Sequence, residues 1–77
     1  MTINLTHSPI LKLNNVDDQG QVEVRAGTDV KALLADLGVP EKHQRYVLVY
    51  INGKKQTSGY TLRQDDTVQL FLPIGGG

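Results

Sequence analysis

Apolar and polar residues change rhythm several times along this chain, and each rhythm predicts a different element. From Thr2 to Thr6 they alternate, with Ile3 and Leu5 on one side, the two-residue period of a half-buried strand. Ser8-Pro9 interrupts the pattern, and Pro9 cannot donate a ladder hydrogen bond. Ile10, Leu11 and Leu13 resume an apolar pattern, so the strand is expected to continue past the break. Asn14 to Gly20 is rich in turn formers and predicts a loop. Gln21-Val22-Glu23-Val24-Arg25 then alternates cleanly, with both valines facing inward. The short polar loop before it favours an antiparallel hairpin with the first strand, because parallel neighbours need a longer crossover.

The period lengthens after Ala26-Gly27. Val30, Leu33, Leu34 and Leu37 recur at helical spacing, opposite Lys31, Ala35 and Asp36. Thr28 is the expected N-cap, Asp29 suits the positive end of the helix dipole, Gly38 can supply a left-handed C-cap, and Pro40 stops continuation. A helix of this length is not stable alone, so its leucine face must pack on a sheet. Glu41 to Arg45 reads as a polar connection.

Tyr46 to Ile51 is apolar on both faces, as a central strand would be. Asn52-Gly53 follows, a strong hairpin signal because both central residues of a type I′ turn need positive φ. Lys54-Lys55-Gln56 predicts a short edge strand, and Tyr60-Thr61-Leu62 a turn that plugs the core with Leu62. Asp65-Asp66 predicts a tight turn into a final strand, Thr67 to Leu72, expected beside the first strand in the middle of the sheet. Strands with one helix across a single face make an α+β arrangement. Its expected core is Val22, Val24, Leu33, Leu34, Leu37, Val47, Val49, Ile51, Val68 and Leu70.

Composition narrows what such a domain can do. The 77 residues allow one domain, and 39% apolar with 21% charged residues suits a globular chain. Eight basic residues balance eight acidic ones, so the basic stripe of a nucleic-acid binder is missing. The absence of cysteine excludes disulfides, thiolate metal sites and a cysteine nucleophile. His7 and His43 lack partners in ligand spacing and read as surface histidines, so no metal site is expected. Gly53-Lys54-Lys55 lacks the upstream glycine of a phosphate loop, and Ser8 and Ser58 have no base in view. No catalytic residues are therefore expected. The longest apolar run is a strand's length, and the amino terminus lacks signal-peptide features, so a cytoplasmic protein without membrane contact is expected.

Pro73-Ile74-Gly75-Gly76-Gly77 closes the sequence. Glycine loses the most backbone entropy on ordering, so residues 73–77 are expected to form a flexible tail on a domain spanning 1–72. Extended, they reach about 17 Å, far enough for Gly75, Gly76 and Gly77 to enter another protein's active site. The same run would also suit a linker or a frayed end.

The element order, together with Val49-Tyr50-Ile51-Asn52-Gly53-Lys54, Asp65-Asp66-Thr67-Val68-Gln69-Leu70-Phe71 and the glycine end, resembles the ThiS/MoaD family of sulfur carrier proteins. The segment from Thr6 to Gly20 is longer and more irregular than that family's first hairpin. The resemblance implies a ubiquitin-like β-grasp fold, with a mixed four- to five-stranded sheet and one main helix across one face. It implies a carrier and not an enzyme, with Gly77 adenylated and then converted to a thiocarboxylate. The sulfur would go to a product of the thiamine thiazole or molybdopterin type. ATP would be used by the activating enzyme, with no cofactor bound by the carrier itself. Expected partners are a ubiquitin-activating-type adenylating enzyme, a sulfur-transfer enzyme and an acceptor synthase, with the carrier a monomer on its own. The strand alternation itself suggests where partners bind: if Val47, Val49 and Ile51 face the core, Tyr46, Leu48 and Tyr50 face outward with Phe71, and together with Pro73 and Ile74 they are expected to form the partner-binding surface. Two other functions remain open, a ubiquitin-like modifier joined through Gly77 to lysines and a non-catalytic β-grasp interaction domain.

Overall fold

The computed structural model describes residues 1–72. Residues 73–77, and with them the expected tail, lie outside the described residues. The elements are β1 (Thr2–His7), β2 (Gln21–Glu23), α1 (Val30–Asp36), α2 (Glu41–Gln44), β3 (Leu48–Ile51), β4 (Lys54–Lys55) and β5 (Thr67–Phe71). They build a five-stranded sheet in the order β2-β1-β5-β3-β4. As the alternation predicted, β1 and β2 pair antiparallel, with Ile3 opposite Val22. The last strand enters the middle, parallel to β1 and antiparallel to β3.

Alternation in the strands and helical spacing in α1 converge on one core. Val30, Leu33, Leu34 and Leu37 cluster with Ile3, Leu5, Val22, Val49, Ile51, Val68 and Leu70, all buried. All ten expected core residues are buried, and Ile3, Leu5, Val30, Val39 and Leu62 join them. Leu62 plugs the core as expected, at 2% exposure. Asn52 and Gly53 both have positive φ, 52° and 85°, and Tyr50 and Ile51 pair with Lys55 and Lys54 across the turn.

The end of α1 is closed by a Schellman arrangement. Gly38, at φ 88°, donates its amide to the Ala35 carbonyl, and Val39 donates to the Leu34 carbonyl. Val39 and Leu34 are both buried, the apolar contact that accompanies this cap.

Four local expectations are corrected. The N-cap is Asp29, whose carboxylate accepts from the Ala32 amide, rather than Thr28; the helix begins one residue later than the capping pattern implied. Residues 41–44 form the short helix α2, which buries none of its residues and so carries no apolar period to read. Tyr46 and Val47 precede β3, because their amides donate to His43 and Gln44 carbonyls rather than to a neighbouring strand. Ile10, Leu11 and Leu13 do not continue β1. The Leu11 amide turns back to the Ser8 carbonyl, and the Asn14 amide donates to the Leu37 carbonyl at the end of α1.

Leu37 is fully buried. Replacing it with alanine should cost about 2 to 5 kcal/mol through lost burial and the cavity left under α1. Urea unfolding of wild type and Leu37→Ala, compared at equal slope, measures this.

Candidate functional site

The position of the chain's last described residues is set at the opposite end of β5. Asp66 is 5% exposed, and its carboxylate gathers three separate segments. Its Oδ1 accepts from Asn52 Nδ2 (2.9 Å) in the β3–β4 hairpin. Its Oδ2 accepts from the Tyr60 hydroxyl (3.0 Å) and the Arg63 amide (2.9 Å). Asn52 completes the link, because its Oδ1 accepts from the Thr67 amide and its own amide donates to the Thr67 carbonyl. Burial alone would raise the Asp66 carboxyl, but the Arg63 amide, Asn52, Tyr60 and the Arg63 charge outweigh it and hold it below the ordinary value of 3.8. Burial, and then the bond to Asp66, push the Tyr60 phenol up.

From this anchor β5 runs between β1 and β3 to Phe71 and Leu72. On the sheet face opposite α1, Leu48 pairs with Phe71 and Tyr50 with Gln69. The Tyr50 and Phe71 rings meet edge to face, with centroids 5.7 Å apart and planes at 76°. The structure thus brings together Leu48, Tyr50 and Phe71 of the expected partner surface. Tyr46 stands apart from them: off the strand, 56% exposed, with the Arg45 guanidinium 5.2 Å from its ring centroid. Pro73, Ile74, Gly75, Gly76 and Gly77 lie outside the described residues.

Tyr46 instead lines a groove that sequence reasoning missed. This apolar depression of about 830 Å³ is walled by Ile10, Leu11 and Leu13 on one side and Val39 and Pro40 on another, and Leu72 reaches its edge. The signal was present in Ile10, Leu11 and Leu13, but their apolar spacing reads equally well as a strand. Among the described residues, no group of three or more His, Cys, Asp or Glu could hold a metal ion, and no helix is long and apolar enough to cross a membrane.

The ThiS family model matches residues 12–77, most of the chain and all of its glycine end. The chain belongs to the ThiS family. Members of this family are small carrier proteins, not catalysts themselves, and generally work with adenylating and sulfur-transfer partners. Among solved structures, SAMP1 from Haloferax volcanii superposes with a TM-score of 0.67 at 18% identity, covering 100% of both chains. At that identity the likeness concerns the fold, which is the ubiquitin-like β-grasp. No curated protein sequence matches this ThiS-family chain.

The Asp66 anchor makes a pH-dependent prediction. Because the folded carboxyl lies below its unfolded value, its contribution to stability is present above about pH 3.8 and is lost as pH falls through the folded value. Urea unfolding from pH 7 down to the acid range should show a steeper acid loss in wild type than in Asp66→Asn. At neutral pH, Asp66→Ala should cost about 1 to 3 kcal/mol or more, since three donors lose a buried acceptor.

Proposed function

We propose that this protein is a sulfur carrier whose Gly77 carboxylate is adenylated and then converted to a thiocarboxylate. The observation that carries the reading is the family match, which extends through Gly75, Gly76 and Gly77. A carboxylate resists nucleophilic attack because its charge is delocalised over two oxygens. An ATP-dependent partner converts it to an acyl-adenylate with release of pyrophosphate. Sulfide-level sulfur then attacks the acyl carbon, the C–S bond forming as the C–O bond to AMP breaks, so that AMP and a proton leave and the acyl sulfur of the thiocarboxylate is the cargo.

The residues divide the work. Gly77 is the reacting residue, and Gly75 and Gly76 are the slim approach that a narrow active site admits. Leu48, Tyr50 and Phe71 offer the partner an apolar face, and Tyr46, Pro73 and Ile74 extend the partner-binding surface. The thiamine thiazole and molybdopterin types are the acceptors we propose, through a synthase that receives the sulfur. ATP is a substrate of the activating partner and not a ligand of the carrier.

Intact-mass measurement after incubation with ATP, the organism's adenylating enzyme and a sulfur donor tests the proposal. The expected result is replacement of one oxygen by sulfur, confined to the C-terminal peptide and lost when Gly77 is deleted. Absence of any such product overturns the carrier reading. Lysine-linked conjugates recovered from native cells, without thiocarboxylate, would instead assign the chain as a protein modifier.

A further inference from the structure

Two of the three large apolar side chains that the described residues expose, Ile10 and Tyr46, line the groove beside the end of β5. The third, Phe71, lies on the outer sheet face with Tyr50. Exposed apolar residues gathered in one concave site mark a surface that another molecule covers. The walls of this groove are fixed by hydrogen bonds to the end of α1 and the segment after it. The Asn14 amide and the Asn15 carboxamide tie the long loop to the Leu37 and Asp36 carbonyls at the end of α1. Gln44 Nε2 donates to the Val39 carbonyl and holds α2 against the opposite wall.

The charge around it has one sign. Lys12 lines the groove and Arg45 stacks on the Tyr46 ring, whereas among the described residues no Asp or Glu side chain lines it. Its position is equally specific. Leu72 forms part of the wall, and the five residues that follow it in sequence can span at most about 17 Å. A molecule that holds Gly77 is therefore within reach of the groove.

We infer that this groove is a second docking site for the adenylating partner, one that takes an apolar segment flanked by Asp or Glu carboxylates. The inference rests on the carrier reading above and deepens it. The apolar side chains of that segment cover Ile10, Leu11 and Tyr46, while its carboxylates face Lys12 and Arg45. This contact and the outer sheet face grip the two sides of the strand that leads to Gly77. Holding the domain at two points fixes the direction in which residues 73–77 enter the active site.

Pyrophosphate exchange catalysed by the organism's own adenylating enzyme tests this, with the full chain as the varied substrate. Ile10→Asp and Lys12→Glu both alter exposed side chains, and circular dichroism checks that each variant folds. Each should raise the KM for the carrier about tenfold, with kcat unchanged at saturation. Ile10→Leu should behave as wild type, and added salt should raise the wild-type KM while leaving that of Lys12→Glu nearly flat. Should Ile10→Asp fail to fold, Lys12→Glu and its salt dependence carry the test. Unchanged KM in the folded variants overturns the groove while leaving the carrier reading intact. Wild-type self-association abolished by Ile10→Asp, with KM unchanged, assigns the groove to a second copy of this chain and likewise overturns it. No exchange with wild type removes the carrier reading and this inference together.

Discussion

Everything in this fold depends on the insertion of β5 between β1 and β3. Until that strand is paired on both sides, the sheet is two separate hairpins, β1–β2 and β3–β4, neither with enough apolar surface to stand alone. Val68 and Leu70, both fully buried, are what the two halves close upon. The contact is also distant in sequence, joining residues 4–7 to 67–70, so its loop-closure entropy must be met before it contributes. The Asp66 carboxylate helps by making the start of β5 converge with residues that lie nearer in sequence, Asn52, Tyr60 and Arg63.

The same insertion sets the position of the last described residues. β5 is the last element among the described residues, so its pairing fixes where Leu72 lies. Neither neighbour of β5 can shift register without turning buried valines and leucines to the opposite face. The outer sheet face and the groove flank Leu72, so exposed apolar surface gathers around the last described residue.

What could be read from the sequence was what local physics determines. The positive φ values at Asn52 and Gly53 follow from the turn itself, and the α1 face follows from the period of its leucines. The segments that failed were those where two causes leave the same trace. Ile10, Leu11 and Leu13 are spaced like a strand, yet their apolar character belongs to a groove wall. Tyr46 to Ile51, apolar on both faces, does give an interior strand, since β3 pairs with β5 and β4 and its outer face meets Phe71, but Tyr46 and Val47 lie before it. The Asp66 network was invisible because nothing in Asp65-Asp66 announces that Asn52 and Tyr60 will meet it. For the candidate site, Leu48, Tyr50 and Phe71 were legible from strand alternation alone, while Tyr46 was misplaced by extending that alternation beyond the strand.

The sheet's borders have a consequence of their own. Its edge strands are β2 and β4, three and two residues long, and β4 consists of Lys54 and Lys55. An unpaired edge invites a strand from another molecule, but so short a row of free amides and carbonyls offers a template of little length, and two ammonium groups repel the next sheet's edge. A molecule with exposed apolar surface around its exit strand would otherwise be prone to stack. Its brief, lysine-bearing margins let it keep that surface exposed without polymerising through the backbone.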